Sequence, residues 1–217
     1  MDTDQAQIDP TRERLLDEAE KLFAEKGFDG VSVREITAKA DAHVSAINYH
    51  FGTKKNLYLS VFQERWIPRA ERIKARLELL DNSTSTLEQV VHALAEGFLK
   101  GFASDQERLM HQQLMHREIN QPTEALSMIA EQVTKPAFMQ LEDIIRARMP
   151  SANENGSDMF LCIFSVFSQV LLFNFGKNLV SLLTGKKYDQ AFHEHVVDHI
   201  TRFSLHGLNG RPTESKP

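Results

Sequence analysis

Three neighbouring side chains that can hydrogen-bond to a base or a phosphate fall on one face of a short predicted helix: Ser45, Asn48 and Tyr49. At about 100° per residue, a helix that directs Ile47 inward places Phe51 within about 40° of it and leaves these three opposite. An asparagine amide matches the donor and acceptor of an adenine edge, and a tyrosine hydroxyl can bind a phosphate. A face that merely met solvent would be expected to carry Lys or Glu, and this one has neither. The pattern favours a helix that lies in the major groove of DNA.

Basic residues flank this helix although the chain as a whole is acidic. The 217 residues carry a formal net charge of −5, whereas residues 32–58 carry +2. Lys54 and Lys55 begin one predicted helix, Ser32 and Arg34 open another, and helix N-termini attract phosphate. The predicted DNA-binding set is Ser32, Arg34, Val44, Ser45, Ala46, Asn48, Tyr49, His50, Lys54 and Lys55.

Residues 10–57 are predicted to form three short helices joined by tight turns. Ser32 and Glu35 have the spacing of a capping box, in which Ser32 accepts a backbone N–H and Glu35 reaches back. Two short helices joined by a turn at 41–43, with a supporting helix before them, form a helix-turn-helix. The predicted boundaries are Asp9 as the cap of a helix over Pro10–Lys26, Ser32 as the cap of the second helix, a third helix over Val44–Phe51, and Thr53 as the cap of a long helix from Lys54.

The remainder of the chain has helical periodicity and lacks clear strand signals, which predicts an all-α fold. Pro68 and Pro136 lie within two of the expected helices and predict kinks or breaks. We expect a helix-turn-helix domain over residues 1–57, a helical domain over 58–208 and a disordered tail over 209–217. The long helices are predicted at 54–80, 87–102, 106–119, 123–149, 158–183 and 188–208.

The composition excludes several classes of protein. A single cysteine, Cys162, allows neither an internal disulfide nor a zinc site built on cysteine pairs. The first ten residues are polar and acidic, unlike a signal or transit peptide, and together with the lone cysteine they indicate the cytoplasm. Residues 159–176 contain no charged side chain, but the run is short for a membrane span and polar side chains interrupt it. A buried helix is therefore favoured over a membrane helix.

The helix-turn-helix residues resemble the DNA-binding domain of TetR-type (TetR/AcrR) transcriptional regulators. The matching positions are residues 27–36, Ala40, residues 47–54 and Leu57-Tyr58. The Ile-Asn-Tyr-His-Phe-Gly form is most similar to the CecR/CerR-like subgroup, as is Arg117-Glu118 followed by Pro122-Thr123. The resemblance implies an all-helical homodimer with a C-terminal domain that binds a small molecule, which relieves repression.

Three positions depart from the family pattern within the helix-turn-helix. Asp41 stands where the turn usually has glycine, and aspartate tolerates a left-handed conformation better than most residues. His43 stands at the usual serine or asparagine cap of the third helix, where it is a poorer cap. Asn48 replaces a common tyrosine, with Tyr49 beside it. These changes preserve the expected fold but do not allow an operator sequence to be transferred from relatives.

A candidate effector pocket is predicted from side chains that helical spacing brings to one face. His111, Met115 and Glu118 recur at i, i+4 and i+7, and phenylalanines elsewhere, including Phe98, could supply aromatic walls. Methionine and phenylalanine more often fill a plain core, and that alternative stays open. A mostly apolar pocket with a few polar groups would suit an aromatic or amphipathic organic effector. The predicted effector-binding set is His111, Met115, Glu118, Phe138, Phe164 and Phe167.

Residues 158–208 are expected to form a homodimer interface. The helix over 158–183 is apolar on nearly all sides, and a second copy related by a two-fold axis would cover it. His195 and His199 have a spacing that can bind a metal, but a histidine pair beside an apolar stripe is more typical of an interface rim. No metal or cofactor is predicted. The apolar stripe on the last helix is Phe192, Val196, Ile200 and Phe203.

The sequence thus favours a homodimeric, cytoplasmic repressor that binds double-stranded operator DNA and is released by a small organic effector. An enzyme is not expected, because the chain has no Gly-x-Ser-x-Gly, no phosphate-binding Gly-rich loop and no His-Glu-x-x-His. Two alternatives remain. One is a DNA-binding dimer that needs no effector, and the other is a small-molecule-binding helical protein whose helix-turn-helix is incidental.

Overall fold

Helices make up all the regular secondary structure in the part of the chain that the computed structural model describes, residues 9–78, 85–100, 104–148 and 156–209. The predicted all-α fold is confirmed. Two five-residue π-helical turns, Phe62–Trp66 and Ala130–Thr134, join pairs of α-helices end to end. The α-helices are α1 Pro10–Lys26, α2 Val33–Lys39, α3 Ser45–Phe51, α4 Lys54–Val61, α5 Ile67–Glu78, α6 Leu87–Lys100, α7 Asp105–Asn120, α8 Glu124–Ile129, α9 Lys135–Arg148, α10 Gly156–Phe175, α11 Lys177–Thr184 and α12 Gln190–Asn209.

The described residues form two compact units. The first contains those of residues 1–69 and 103–132, and the second those of 70–102 and 133–217. These units differ from the predicted domains, which divide the chain after residue 57. The difference arises because α7 packs against α1, and α8 against α7, within the first unit. The chain passes from the first unit to the second inside α5.

Local capping chemistry places the helices of the first unit where the sequence predicts them. The side chains of Asp9, Ser32 and Thr53 accept backbone N–H groups at the starts of α1, α2 and α4, at 2.8, 3.1 and 3.0 Å. Gly27 ends α1 with φ of 76°, and Asp41 takes the left-handed conformation expected of its turn, with φ of 48°. These predictions are confirmed.

The Ser32 half of the capping box at the start of α2 is present, since the Glu35 N–H donates to the Ser32 hydroxyl at 3.1 Å. A bond from Lys26 holds the pKa of Glu35 below its ordinary value, burial opposes this, and the Ser32 N–H adds to the lowering. The Lys26 bond also ties the end of α1 to α2, because the two residues lie on these different helices.

Each helix-interior proline follows a π-helical turn. Pro68 comes two residues after the turn at 62–66, in which the Ile67 N–H donates to the carbonyl of Phe62, five residues back. Pro136 likewise comes two residues after the turn at 130–134. A proline lacks an N–H and presses on the carbonyl four residues earlier, and the wider π turn accommodates both effects. The two prolines therefore distort the helices that contain them without ending them.

The single helix predicted over 158–183 is wrong. It is broken at Gly176, and α11 leaves α10 at an angle of 78°. A Cβ at residue 176 would lie 2.7 Å from the carbonyl oxygen of Leu172, so only glycine fits this bend. The last helix begins at Gln190 and includes Asn209, while the rest of the predicted tail, 210–217, lies outside the described residues.

The uncharged run at 159–176 forms most of α10. Met159, Ile163, Val166 and Val170 on this helix are buried in the hydrophobic core of the second unit, and Cys162 packs against it. No helix among the described residues has, by itself, the length and apolar character to cross a membrane. The part of α10 from Met159 meets both criteria only when joined to α11, across their bend.

An aromatic column forms the centre of the first unit. Tyr58 on α4 makes edge contacts with Phe23 of α1, with Phe28 in the loop that follows α1, and with Phe62, at centroid distances of 4.9, 5.1 and 5.1 Å. The rings join α1, α4 and the π turn into one packed layer, with Phe23 and Phe62 fully buried. Edge-to-face aromatic pairs stabilise such layers beyond the area they bury.

A buried ion pair fastens α5 to both of its neighbours in the first unit. Arg69 bonds both Glu20 of α1 and Glu107 of α7, and only 11%, 4% and 15% of these side chains are exposed. Burial lowers the pKa of Arg69, but the two carboxylates outweigh it and the pKa stands above its ordinary value. Sequence periodicity gave no sign of this long-range pairing.

The Arg69→Ala variant is expected to lose about 3–5 kcal/mol of unfolding free energy, because it leaves buried carboxylates without their cation. Chemical denaturation followed by circular dichroism measures this loss. The control is Asp105→Ala, which removes a carboxylate whose side chain is 88% exposed and pairs with Arg108. Its cost should stay within about 1 kcal/mol. Equal losses in the two variants would contradict the structural role of the buried pair.

Candidate functional site

Helix α3 presents the polar face that the sequence predicts. Ile47 and Phe51 are buried at 0% and 7% exposure, whereas Ser45 and Asn48 are exposed and Tyr49 is 82% exposed. With a turn after α2 and helix α1 behind it, α3 has the position of the recognition helix in a helix-turn-helix. The exposed face is the candidate functional site.

His43 caps α3 through its imidazole ring. The Ser45 N–H donates to His43 Nδ1 at 3.3 Å, and the Ala46 N–H donates to the His43 carbonyl at 2.9 Å. The Ser45 hydroxyl lies 2.8 Å from the same ring nitrogen. The ring nitrogen thus replaces the side-chain oxygen of a usual cap, and it engages the Ser45 hydroxyl as well. Val44, the residue before the helix, is 44% exposed.

Three residues of the predicted DNA-binding set are only partly exposed, namely Ala46, His50 and Lys54. Ala46 is half-buried on α3. The imidazole of His50 is 9% exposed and its Nε2 lies 3.8 Å from a carboxylate oxygen of Asp9, at the start of α1. The His50 side chain therefore points toward the start of α1. The outward polar side chains of α3 are those of Ser45, Asn48 and Tyr49.

The predicted phosphate-binding lysines both have partners within the first unit. The Lys54 Nζ lies 4.2 Å from the centroid of the Phe28 ring, in a cation–π contact. The Lys55 Nζ lies 2.5 Å from a carboxylate oxygen of Glu124, and both of these side chains are more than half exposed. Arg34 and Ser32 are exposed on α2 and at its cap. Cationic side chains thus border α3 on the helices before and after it.

Glu118 is a buried carboxylate that joins α4, α7 and α8. It is 0% exposed, and it accepts hydrogen bonds from the Tyr58 hydroxyl at 2.6 Å and from the N–H groups of Thr123 and Leu126 at 2.9 and 3.0 Å. Burial, then the bond to Glu118, raises the pKa of Tyr58 well above its ordinary value, so the phenol remains a donor. These contacts give Glu118 a structural role where the sequence predicted a pocket residue.

Arg117, the residue before Glu118, fastens α7 to the end of α1. Its Nε donates to the carbonyl of Ala24 at 2.9 Å, and its Nη2 donates to the carbonyl of Glu25. The last carbonyls of a helix lack partners within the helix and carry partial negative charge, so a guanidinium suits them. Sequence reasoning missed this role, because nothing in the spacing links residue 117 to residues 24 and 25.

The other two residues of the predicted His-Met-Glu face also belong to the first unit. His111 is 7% exposed and its ring stacks on Trp66 at 4.2 Å, while the Trp66 Nε1 donates to the His111 carbonyl at 2.9 Å. Met115 is half-buried on α7. The six predicted effector residues are therefore not brought together within one unit, since the three phenylalanines lie in the second.

Those phenylalanines form an aromatic cluster in the second unit. Phe138 of α9 contacts Phe167 of α10 at 5.0 Å and Phe160 at 5.6 Å, and Phe164 stacks on Phe160 at 5.9 Å. Phe98 of α6 adds a contact to Phe167 at 5.1 Å. The aromatic cluster is defined as Phe98, Phe138, Phe160, Phe164 and Phe167. Phe160, which the predicted set omitted, and Phe164 are 55% and 53% exposed.

Apolar side chains remain exposed along α10, α11 and α12. Val196 and Ile200 of the predicted stripe are buried within the second unit, whereas Phe203 is 62% exposed. Phe192 packs in part against the core of the second unit. The other large exposed apolar side chains on these helices are Phe160, Leu161, Phe164, Leu172, Phe175, Leu179, Leu182 and Leu183.

The two histidines with metal-ligand spacing lie beside aromatic rings. The His199 ring is 6.0 Å from that of Phe203 and 6.2 Å from that of Phe173, and the His195 ring is 6.3 Å from that of Phe192. Among the described residues, no group of three or more His, Cys, Asp or Glu side chains could hold a metal ion.

Comparison with known families and structures matches nearly the whole chain. Residues 15–61 match the model of bacterial regulatory proteins of the tetR family, and residues 87–208 match that of the C-terminal domain of the HTH-type transcriptional dual regulator CecR. The CecR protein of Shigella flexneri is 26% identical over 212 residues, which cover 92% of this chain and 93% of that one.

Two further matches agree with this result. The HTH-type transcriptional repressor NicS of Pseudomonas putida is 33% identical over 85 residues, covering 39% of this chain and 40% of that protein. The crystal structure of a TetR-like transcriptional regulator from Rhodococcus sp. RHA1 superposes with a TM-score of 0.65 at 16% identity, covering 93% and 97% of the two chains. At that identity the structural match shows a shared fold.

The Tyr58→Phe variant should lose about 1–3 kcal/mol of unfolding free energy, because a buried carboxylate loses one of its donors. Denaturant titration measures the loss. The matched control is Tyr49→Phe, which removes a hydroxyl from a side chain that is 82% exposed and should leave stability unchanged. If Tyr58→Phe is as stable as the control, the bond to Glu118 does not hold α4 to α7.

Proposed function

The chain belongs to the TetR family of bacterial regulatory proteins, with a C-terminal domain of the CecR type, and is a DNA-binding transcriptional regulator; from this premise we propose a homodimeric repressor that a small organic effector releases from its operator. The observation that carries the proposal is the outward face of α3. Its polar side chains are exposed while Ile47 and Phe51 anchor the helix from behind. A recognition helix needs this division between anchored and exposed faces.

The three outward side chains have different tasks in the proposed complex. Asn48, near the middle of α3, is placed to read a base edge in the major groove, and a bidentate asparagine–adenine contact discriminates strongly between bases. Tyr49 supplies a hydroxyl for a phosphate and a flat ring for the sugar. The Ser45 hydroxyl bonds the His43 ring, so we do not assign it a base contact. Its small side chain instead lets the helix approach the DNA closely.

The lysines at the start of α4 are proposed to exchange their present partners for DNA phosphates. Lys55 pairs with Glu124 in a largely exposed contact, and such pairs contribute little stability. Lys54 is the first residue of α4, and its ammonium lies over the Phe28 ring. Phosphate binding at a helix N-terminus is favourable because its free N–H groups point outward.

Dimer formation is proposed to cover the exposed apolar side chains of residues 158–208. Phe164 and Phe203, on α10 and α12, are more than half exposed in the single chain. Pairing α10 and α12 with their copies across a two-fold axis would bury them in a four-helix interface. Two recognition helices then contact half-sites one duplex turn apart, about 34–36 Å.

The proposed effector site is the aromatic cluster of the second unit. Its rings lie on α6, α9 and α10, so a ligand held between them would change the packing of these helices. The chain that leaves α4 enters the second unit through α5, which offers a covalent route from the cluster to the recognition helix. A ligand shifts operator binding only through its different affinity for the two spacings of the recognition helices. The expected coupling is about 1–3 kcal/mol, or 5–150-fold in operator affinity.

Two other functions are kept as alternatives and have distinct outcomes. A DNA-binding dimer without an effector would bind its operator equally in the presence of every compound tested. A small-molecule-binding protein with an incidental helix-turn-helix would show no sequence preference on DNA, and its weak duplex binding would lack a specific component. Operator binding measured with and without candidate ligands separates all three functions.

The Asn48→Ala variant should weaken operator binding by about 1–3 kcal/mol and relax the preference at one base pair in each half-site. Quantitative binding to a library of operator variants measures both effects. Asn120→Ala is the matched control, since it removes an exposed asparagine amide from α7, and it should retain the full preference. If Asn48→Ala keeps the same preference at every position, Asn48 does not contact a base.

The Phe164→Glu and Phe203→Glu variants should be monomeric at micromolar concentration, because a charge buried in an apolar interface has no partner. Sedimentation velocity measures the state of assembly. Leu109→Glu, which places the same charge on a 53% exposed apolar position of α7, is the control and should remain dimeric. Dimers in both phenylalanine variants would place the interface elsewhere on the surface.

The effector proposal is tested in two steps. A panel of amphipathic aromatic molecules is screened for release of the protein from its operator, and the first active compound is then used with two variants. Phe138→Ala should need about 10-fold more of that compound for release, equivalent to roughly 1.4 kcal/mol, while its effector-free operator affinity stays unchanged. Phe192→Ala, a half-buried phenylalanine outside the aromatic cluster, should respond like the unmodified protein. Equal responses in the two variants would remove the aromatic cluster from the effector site.

A further inference from the structure

A cavity of about 400 Å³ opens in the first unit, and none of its lining residues belongs to the aromatic cluster. The loop between α1 and α2 contributes Gly27, Phe28 and Asp29 to its lining, and the corner between α7 and α8 contributes Pro122. Arg117 lines it as well. Its volume lies within the range of small-molecule sites, about 300–1,000 Å³. Sequence reasoning gave no indication of this cavity, because its two sides are some 90 residues apart in the chain.

The guanidinium of Arg117 supplies positive charge to this cavity. Its Nε and Nη2 donate to the carbonyls of Ala24 and Glu25, which are neutral acceptors. Its Nη1 lies at the Gly27 wall, since a Cβ added to Gly27 would be 3.1 Å from that atom. Guanidinium groups bind carboxylates and phosphates through short, charge-assisted hydrogen bonds.

A second cation lies close to the same wall. The Lys54 Nζ is 4.2 Å from the centre of the Phe28 ring, and Phe28 lines the cavity. Lys26 lines it too but is paired with Glu35, so its charge is balanced. Asp29 is exposed and brings one negative charge. Of the two cations that line the cavity, Lys26 is thus paired with a carboxylate, whereas the bonds of Arg117 go to neutral carbonyls and leave its charge available to an anion.

Apolar groups complete the lining. The Phe28 ring and the Pro122 ring both line the cavity, one from each of the chain segments that form it. An inorganic anion would leave both rings without a contact. An organic anion with a flat apolar body would use the rings and the guanidinium together.

We propose that this cavity binds a small aromatic carboxylate, with the carboxylate on Arg117 and the ring system against Phe28 and Pro122. The site is distinct from the aromatic cluster. It adjoins Tyr58, whose hydroxyl bonds Glu118, so its ligand would contact both the loop that precedes α2 and the corner that precedes α8. Any effect of this ligand on operator affinity rests on the proposed function, whereas the binding itself does not.

The probe is 2-naphthoate, with 2-naphthamide as its neutral counterpart, titrated into the full chain labelled with ¹⁵N-glycine. The chain has ten glycines, of which Gly27 and Gly30 line the cavity and Gly176, Gly185 and Gly207 lie in the second unit. Naphthoate should shift the amide signals of Gly27 and Gly30 in a saturable way. Naphthamide should bind about 10-fold more weakly or worse, because it lacks the charge.

Two variants that remove opposite charges, Asp29→Asn and Arg117→Gln, test the assignment further, and Asp105→Asn is their control. Asp29→Asn removes the exposed negative charge and should tighten naphthoate binding about 2- to 5-fold. Asp105→Asn removes another exposed carboxylate, on α7 and outside the cavity lining, and should leave the affinity unchanged. Arg117→Gln should weaken binding about 10-fold or more, with thermal unfolding checked in parallel.

Unshifted Gly27 and Gly30 signals, equal affinity for naphthamide, or no difference between Asp29→Asn and Asp105→Asn would each overturn the proposal. Shifts confined to second-unit glycines would also overturn it and would direct attention to the aromatic cluster. None of these results bears on operator binding by the ligand-free protein, which is measured separately. Failure of this site and failure of the proposed function are therefore distinguishable.

Discussion

The buried carboxylate of Glu118 is the constraint on which the first unit depends. A carboxyl group without solvent is costly unless donors surround it, and here a phenol, a threonine hydroxyl and two backbone N–H groups do so. Those donors come from α4 and from the start of α8, so the hydrogen bonds of one side chain hold the two segments against α7. The neighbouring Arg117 extends the same arrangement to the end of α1 through two carbonyls.

This arrangement bears directly on the recognition helix. Tyr58 lies on α4, which follows α3 after the Gly52-Thr53 turn and carries the two lysines at its start. The aromatic contacts of Tyr58 with Phe23 and Phe28 fix α4 against α1 and the loop after it. The position of α3 is therefore set from behind by α1 and from its C-terminal side by α4, while its outer face, which we propose contacts DNA, stays exposed.

Local patterns predicted much of the fold and of the recognition helix, because local chemistry decides them. The caps at Asp9, Ser32 and Thr53, the left-handed Asp41 and the inward direction of Ile47 all depend on a few neighbouring residues. The capping role of the His43 ring needed the structure, because it depends on the rotamer of one side chain. The bend at Gly176 also escaped prediction, since the surrounding sequence is strongly helical and one glycine decides the outcome through its contact with Leu172.

Long-range pairings could not be predicted from the sequence. The bond between Arg69 and Glu20 joins residues 49 positions apart, and the bond between Glu118 and Tyr58 joins residues 60 positions apart. Hydrophobic periodicity reports only on neighbours within a helix and cannot predict such pairs. For the same reason the predicted effector set combined a face of α7 with phenylalanines that belong to the other unit. Helical spacing identifies which side chains share a face, whereas the partner of that face depends on tertiary packing.

Selection of bound duplexes from a random pool tests the central claim most directly, that α3 of a two-fold dimer reads DNA. The unmodified full-length protein should enrich one sequence made of two inverted half-sites, with centres about 10–10.5 base pairs or a multiple of that apart. Recovery of unrelated duplexes, with no shared sequence after repeated rounds, would contradict the account. So would enrichment of a single half-site without its inverted partner, because the proposed dimer presents two recognition helices.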